Sequence, residues 1–246
     1  MKNWVFLSPH FDDAVLSAGG MIWELANRGD GVEIWTICAG DPPSGRQLTD
    51  YAQMLHIFWE LGETDVPYSR SLEDAASCRL LGAGYRRYTV PDNIYRYLPG
   101  TDEPVTKVPD DNAGPLEPNE SYLIPPVTDF LRKNLVEGYQ LVTPLSVGHH
   151  RDHVLTRTAA DRLGIPLWHF VDYPYVTREP YDPAEWIPPG VETFSLELSA
   201  AAVQAWKDAI ACYKSQMIFL FPDAPEMHRA IEEYASSGGG CALWKF

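Results

Sequence analysis

Short apolar runs alternate along the chain with longer segments in which apolar residues recur at helical spacing. Residues 3–8 (NWVFLS) and 31–40 (GVEIWTICAG) are typical of buried strands. Residues 13–29 between them have helical spacing and a glycine at a plausible helix end. A strand, a helix and a second strand with short connections favour a parallel sheet with a right-handed crossover.

The alternation continues to the C-terminal end of the sequence. Further strands are predicted over 86–91, 139–147 and 165–174. Helices are predicted over 48–62, 71–84, 121–138, 151–164, 199–216 and 225–236. The pattern therefore predicts an α/β fold of Rossmann-like, three-layer α/β/α architecture with a mostly parallel sheet.

Residues 97–120 interrupt this pattern with a stretch rich in proline, glycine and acidic residues. The stretch is too long for an ordinary connection, so we expect a loop, a lid or a mobile insertion. The sequence contains no internal repeat and no change of composition that marks a second domain. Residues 1–246 are therefore expected to form a single domain.

Composition narrows the classes of partner. The chain has 246 residues, of which 45% are hydrophobic, enough for a large core. Its 19 Lys and Arg against 34 Asp and Glu give a net charge of −15, which argues against a nucleic-acid partner and weakly against anionic membranes. We expect neither a signal peptide nor a membrane-spanning segment, and the four cysteines form no C-x-x-C pair. We expect a cytoplasmic protein with reduced thiols.

Two polar clusters follow predicted strands and open predicted helices. The first is SPHFDDA (8–14) and the second is HHRDH (149–153), which holds three of the seven histidines. In open parallel sheets, ligands bind beyond the carboxyl ends of the strands. The two clusters could therefore meet at one site despite their separation in sequence.

The spacing within the clusters suits a metal. His10-x-x-Asp13 and His150-x-x-His153 each place two side chains on one face of a first helical turn. A hydrolytic zinc takes three protein ligands and keeps one position open for water, whose pKa then falls to about 7. Two histidines and one aspartate would serve as such a set.

Each cluster alone has a simpler interpretation. Asp12 or Asp13 in isolation reads as a helix N-cap, and HHRDH in isolation reads as a solvated helix start. The occurrence of two such clusters, both at strand-to-helix junctions, favours the metal site. Three other histidines have apolar or helical surroundings and are predicted to be structural or surface residues: His56, His169 and His228.

The pair of motifs resembles the PIG-L/LmbE family of zinc-dependent N-deacetylases. SPHFDDA is similar to the His-Pro-Asp-Asp-Glu signature of that family, and HRDH is similar to its later His-Pro-Asp-His signature. The order, separation and placement of the motifs match over almost the whole chain. The resemblance implies an LmbE-like fold and hydrolysis of the acetamide of N-acetylglucosaminyl groups on carriers such as phosphatidylinositol, thiol precursors, antibiotics and oligosaccharides.

The resemblance also implies a metal and its ligands. His10, Asp13 and His153 match the three zinc ligands of the family. Ligation by two histidines and one aspartate also suits iron, so Fe²⁺ is an alternative to Zn²⁺ in the cell.

Catalytic roles are implied by the same match. Asp12 corresponds to the general base that deprotonates the attacking water. His150 corresponds to the imidazole that, when protonated, stabilises the oxyanion or protonates the leaving amine. Asp152 would orient His150 and stabilise its charge, as a carboxylate does behind an imidazole.

The resemblance suggests further substrate-binding residues. Arg70 and Asp92 stand where relatives bind sugar hydroxyls or phosphate, although a helix-start arginine and a turn aspartate are equally good interpretations. Gly148 stands where some relatives carry a tyrosine, and Tyr175 after the next strand is a candidate to replace it. The segment YKSQ (213–216) is similar to one in bacterial relatives and has no evident physical role.

The sequence therefore predicts a metal-dependent hydrolase that removes acetyl from an N-acetylglucosamine-type sugar or glycoconjugate. Alternatives are an amidase for another acyl group and a non-catalytic sugar-binding relative. A nucleotide-binding module is disfavoured because no G-x-G-x-x-G follows the first strand, and Gly19 and Gly20 suit close helix packing instead. The expected partner is a small molecule, with no nucleic acid and no membrane span. The physiological substrate and the oligomeric state are left open.

Overall fold

The computed structural model describes residues 1–61, 66–116, 118–178, 182 and 185–246. Within these residues seven strands form one sheet: β1 (Asn3–Ser8), β2 (Gly31–Thr36), β3 (Gly84–Arg87), β4 (Tyr139–Pro144), β5 (Trp168–Phe170), β6 (Glu192–Ser195) and β7 (Ala242–Lys245). Across the sheet the order is β3, β2, β1, β4, β5, β7, β6. The first five strands are parallel, whereas β7 runs antiparallel to both β5 and β6.

Helices cover both faces of the sheet. They are α1 (Asp13–Asn27), α2 (Asp50–Phe58), α3 (Val66–Leu80), α4 (Ile124–Asn134), α5 (Arg151–Asp161), α6 (Tyr175–Arg178), α7 (Ala200–Ile210), α8 (Lys214–Leu220) and α9 (Ala224–Ser236). The predicted α/β class with a mostly parallel sheet is confirmed. Among the described helices, none is both long and apolar enough to cross a bilayer.

The central strand β1 is buried on both faces, which explains its unbroken apolar sequence. Trp4 and Phe6 pack in a core with α1, α7 and α9. Val5 and Leu7 point the opposite way and pack in a second core with α4 and α5. The alternation of side chains along one strand thus joins the three layers.

Close packing between α1 and α7 requires a glycine. A Cβ atom on Gly19 would lie 2.3 Å from Cδ1 of Trp206. The Trp206 indole N–H donates to the carbonyl of Val15, and α1 is locally non-helical at Ala18. The predicted packing role of the glycine pair is therefore confirmed.

Two parts of the C-terminal half differ from the sequence prediction. The helix predicted over 199–216 is divided, because α7 ends at Ile210 and α8 begins at Lys214. Tyr213 between them has a ψ of 61°, and its buried hydroxyl donates to the carbonyl of Phe11. Strands β6 and β7 were not predicted, since each has only four residues and few of these residues are fully buried.

The described part of segment 97–120 is tied to its surroundings. The Asn93 side chain donates to Thr106 and Asn112, and the Gly114 amide donates to the carbonyl of His149. The segment therefore forms a wall against the second polar cluster.

Candidate active site

The two polar clusters lie at the carboxyl ends of the neighbouring strands β1 and β4, as the fold predicts. Ser8, the last residue of β1, accepts a hydrogen bond from the Ala14 amide at the start of α1. Asp12 occupies the N-cap position of α1, but its side chain makes no capping hydrogen bond. The serine thus supplies a partner for the helix start, which leaves the Asp12 carboxylate available to the site.

The three predicted metal ligands meet at one carboxylate oxygen. Oδ2 of Asp13 lies 3.0 Å from Nδ1 of His10 and 3.2 Å from Nε2 of His153. The same oxygen accepts the His10 backbone N–H at 2.7 Å. All three residues are buried. His10 and Asp13 lie at the junction of β1 and α1, whereas His153 lies on α5.

Each of the two histidines has a second carboxylate behind it. Oδ2 of Asp152 lies 3.0 Å from Nε2 of His10, and Oδ1 of Asp172 lies 2.6 Å from Nδ1 of His153. This arrangement fixes the orientation of a metal-binding imidazole and makes it more basic. Among the described residues, Nε2 of His153 has no well-directed hydrogen-bond partner although it is buried. A buried imidazole nitrogen facing a carboxylate and a second imidazole fits a divalent metal.

His150 is close to the same position. Single ligand atoms of His10, His150 and His153 lie within 4.8 Å of one another, as do those of His10, Asp92 and Asp152. The distances alone therefore permit His150 to replace Asp13 as a ligand. The two assignments predict different effects of a His150 substitution on metal binding.

The electrostatics of the site favour positive charge. Burial by itself lowers the pKa of His10, but Asp92 and Asp13 raise it well above its ordinary value. Burial likewise opposes protonation of His153, yet Asp13 and Asp172 raise its pKa to about 9. Burial favours the neutral form of Asp13, but the two histidines hold its pKa well below the ordinary value. A cation is stabilised where these side chains meet.

Asp12 faces a different neighbour from Asp13. Its Oδ1 lies 3.5 Å from Nη2 of Arg70, and Nη1 of Arg70 lies 3.6 Å from Asp92. Burial and the adjacent Asp13 charge raise the pKa of Asp12 to about 6, although Arg70 and His10 oppose this. The Asp12 carboxylate thus lines the cavity with only a long contact to Arg70, and its raised pKa makes it a stronger base than an ordinary aspartate.

The orienting contact predicted between the Asp152 carboxylate and His150 is made with His10 instead, although the Asp152 charge still favours the protonated form of His150. The Asp152 carboxylate contacts His10 because the first turn of α5 directs it towards the end of β1. His150 receives only the Asp152 backbone N–H, on Nδ1 at 3.3 Å. A neutral His150 then carries its proton on Nε2. Burial, together with the neighbouring His10 and His153, lowers the pKa of His150 well below its ordinary value.

The predicted substrate-binding residues lie around one cavity of about 310 Å³. Arg70, Asp92 and Tyr175 line this cavity together with Asp12 and His150. Asp92 also caps a short helical turn by accepting the Ile94 N–H, so both interpretations of this residue apply.

Tyr175 takes the space of the side chain that Gly148 lacks. Gly148 has a φ of +83°, and a Cβ atom there would lie 2.4 Å from Cδ1 of Tyr175. The Tyr175 ring packs edge-on against His153, with ring centroids 5.3 Å apart. Burial and the charges of Asp13 and Asp172 raise the pKa of the Tyr175 phenol well above its ordinary value, so the phenol keeps its proton.

Sequence reasoning missed residues that lie behind the site. Asp172 follows β5, and the rule about carboxyl ends of strands could have identified it. Arg96 contacts Asp152, and the Asn93 backbone N–H donates to the same carboxylate. Neither of these had a recognisable signal, because their role depends on a long-range contact. Gln216, the last residue of the unexplained YKSQ segment, lines the cavity.

Comparison with known proteins places this site in a family. The family model described as GlcNAc-PI de-N-acetylase (PIG-L) matches residues 5–164, a range that contains both polar clusters. The chain belongs to the PIG-L family. The predicted resemblance is therefore confirmed, and the protein is an N-deacetylase, a hydrolase of amide bonds.

Individual relatives resemble this PIG-L member over nearly its whole length. The 2'-N-acetylparomamine deacetylase of Niallia circulans is 28% identical over 240 residues, which cover 92% of this chain and 84% of that protein. The zinc-inhibited form of the teicoplanin deacetylase Orf2 superposes with a TM-score of 0.80 at 25% identity, covering 99% of this chain and 97% of the other. The A40926 pseudoaglycone deacetylase Dbv21 gives a TM-score of 0.74 at 26% identity, with coverages of 99% and 96%.

Proposed function

We propose that this PIG-L family member removes the acetyl group from an N-acetylated amino sugar or a glycoconjugate that carries one. The contact that supports this proposal most directly is Oδ2 of Asp13, which lies between His10 and His153 while the adjacent Asp12 faces the cavity. The relatives named above are deacetylases of 2'-N-acetylparomamine, of teicoplanin and of the A40926 pseudoaglycone, which favours an amino-sugar acetamide as the substrate.

We assign His10, Asp13 and His153 as ligands of Zn²⁺, with Fe²⁺ as the alternative. Imidazole nitrogen and carboxylate oxygen are donors that both metals accept. When bound, the metal supplies Lewis acidity that polarises the acetamide carbonyl and makes a neighbouring water more acidic. Asp152 and Asp172 orient the two histidines for this purpose.

In the proposed reaction Asp12 is the general base. It accepts a proton from the attacking water, whose oxygen bonds to the carbonyl carbon of the acetamide. The C–N bond then breaks, and the nitrogen takes up a proton to leave as an amine while acetate forms. Asp12 passes the proton that it took from water to this nitrogen, and His150 assists by donating a hydrogen bond from its Nε2–H to the nitrogen or to the oxyanion, since its Nδ1 accepts the Asp152 backbone N–H.

We further propose that Tyr175, Arg70 and Asp92 bind the substrate. The protonated Tyr175 hydroxyl suits donation to the carbonyl oxygen, in place of the tyrosine that some relatives carry at the position of Gly148. Arg70 and Asp92 form an ion pair and line the same cavity. The guanidinium can donate hydrogen bonds to sugar hydroxyls, and the carboxylate can accept them. A single domain over residues 1–246 and a cytoplasmic location remain predictions.

The decisive experiment combines metal analysis with an acetate-release assay. Bound metal is removed from the purified protein with a chelator, and the protein is reloaded with Zn²⁺ or Fe²⁺. It is then incubated with N-acetylglucosamine, its glycosides and a mono-N-acetylated aminoglycoside. We expect one metal per chain and acetate released in equal amount to new amine. Metal binding without acetate release on any of these sugars would contradict the substrate class, and matched N-propionyl or N-butyryl sugars would then test an amidase for other acyl groups.

A further inference from the structure

Arg96 is a buried cation behind the candidate metal centre. It follows the short helical turn Asn93–Tyr95 and is only 4% exposed. Nη2 of Arg96 lies 2.6 Å from Oδ1 of Asp152, and Nε lies 2.9 Å from Oε1 of Glu120. Asp152 and Glu120 are 0% and 1% exposed, so all three charges are removed from water.

The Asp152 carboxylate has a fixed partner on each oxygen. Oδ1 is paired with Arg96, whereas Oδ2 accepts the Asn93 backbone N–H and contacts Nε2 of His10, each at 3.0 Å. Because Oδ1 is held by a charged group, rotation of the carboxylate would break an ion pair. The orientation of the His10 ring therefore depends on a residue that does not touch it.

We propose that Arg96 is a positioning residue of the metal centre, which holds Asp152 against His10 while Glu120 holds Arg96. This inference rests on the proposed metal-dependent function. A buried carboxylate that loses its cation is left uncompensated, and it then moves or takes up a proton. A lysine has one nitrogen and cannot reproduce the forked contact of a guanidinium with two carboxylates.

The same cluster joins the metal centre to the segment between Arg96 and Glu120. These two residues flank the segment, so their ion pair closes it at its base. Arg151 donates to the carbonyls of Asp111 and Pro115 within the segment, and its Nη1 lies 3.8 Å from Oε2 of Glu120. The ion pairs of Arg96 and Glu120 therefore support both the cavity wall that this segment forms and the orientation of His10.

The test measures metal affinity separately from activity. Zn²⁺ dissociation constants are determined by chelator competition for the wild type, Arg96→Gln and Arg96→Lys, and the visible absorption spectrum is recorded with Co²⁺ in place of Zn²⁺. Loss of a residue that orients a ligand typically weakens metal binding about 10- to 100-fold. We expect a loss of this size in Arg96→Gln, a smaller loss in Arg96→Lys, and an altered Co²⁺ spectrum in both.

Lys207→Gln is the matched control. Lys207 is also a buried cation paired with one carboxylate, Glu232, but it lies on α7. We expect this variant to lower the melting temperature without changing Zn²⁺ affinity or the Co²⁺ spectrum. If Arg96→Gln behaves in the same way as Lys207→Gln, Arg96 is merely structural and the proposal is wrong.

Two further variants keep the proposal testable. If Arg96→Gln fails to fold, Glu120→Gln removes the charge behind Arg96 with little change of shape, and we expect several-fold weaker Zn²⁺ binding. In an Asp152→Asn background, replacement of Arg96 should cause little additional loss of affinity, since Arg96 acts through Asp152. Wild-type affinity in both Glu120→Gln and Arg96→Lys would overturn the proposal, whereas a wild type that binds no metal would overturn the proposed function itself.

Discussion

Asp12 and Asp13 are adjacent in sequence, yet their carboxylates have different neighbours. Successive side chains at a helix start diverge by about 100° around the axis. Asp13 consequently contacts His10 and His153, whereas Asp12 faces Arg70 and the cavity. The proposed roles, Asp13 as a metal ligand and Asp12 as the general base, rest on this divergence.

Asp12→Asn tests the base. The amide keeps the shape of the side chain but cannot accept the proton from water, so we expect kcat to fall about 10²- to 10⁴-fold with unchanged metal content. Metal content by atomic absorption and acetate release provide the measurement. Asp13→Asn is the comparison and should lose metal; loss of metal from Asp12→Asn would reverse the two roles.

Substitutions of His150 and His153 distinguish a metal ligand from a residue that assists the departure of the amine. His153→Ala is expected to abolish stoichiometric metal binding, because it removes the buried nitrogen 3.2 Å from Asp13. His150→Ala should retain the metal and reduce kcat with a smaller effect on KM. His149→Ala is the control, since His149 is exposed. Loss of metal from His150→Ala would place His150 among the ligands.

Packing of α1 on α7 depends on the absence of a side chain at one position. Gly19→Ala would place a Cβ atom 2.3 Å from the Trp206 indole, which cannot move without breaking its hydrogen bond to Val15. Overpacking of this kind costs about 1–3 kcal/mol in the free energy of unfolding. Denaturant unfolding measures the loss, and Gly84→Ala is the control, because its nearest neighbour lies 3.4 Å away. Equal stability of the two variants would contradict the packing argument.

The pairing of β5 with β7 contains a pH-dependent contact. His169 in β5 donates from Nδ1 to the Trp244 carbonyl and stacks on Phe246. Burial, with a smaller contribution from Arg157, lowers its pKa from 6.5 to about 4. In the unfolded chain His169 therefore takes up a proton below about pH 6.5, whereas in the folded chain it does so only below about pH 4. Stability should fall over this interval, by up to about 3 kcal/mol from this group.

His169→Asn provides the measurement, because its amide can keep the hydrogen bond to Trp244 without titrating. Free energies of unfolding at several values between pH 7 and 4.5 should decrease less steeply in the variant than in the wild type. Parallel curves for the two proteins would show that His169 does not contribute to acid sensitivity.

The proposed metal site lies at the carboxyl ends of β1, β4 and β5, among residues that follow each strand: His10, His153 and Asp172. A metal that binds the folded chain alone raises the free energy of unfolding, by about 2.7 kcal/mol at a free concentration of 100 times its Kd. Removal of metal by a chelator should therefore lower the melting temperature, and added Zn²⁺ should restore it. His153→Ala should show neither change; an equal Zn²⁺ shift in that variant would indicate metal binding elsewhere.

The amino-acid sequence alone determined those features that depend only on residues close together in the chain. The run NWVFLS predicted β1 from Asn3 to Ser8, because a short apolar run that ends at a proline is typical of a strand buried on both faces. The two His-x-x-ligand motifs predicted the meeting of His10, Asp13 and His153, because parallel strands end at the same edge of a sheet.

Only the tertiary structure decided which distant groups complete those motifs. Asp152 lies against His10 instead of His150, Arg96 holds Asp152, and Tyr175 covers Gly148. Strand β7 forms only because β5 and β6 present partners for its four residues. The physical reason is common to all of these: orientation of a buried side chain or pairing of a short strand depends on atoms far away along the chain, which no local pattern specifies.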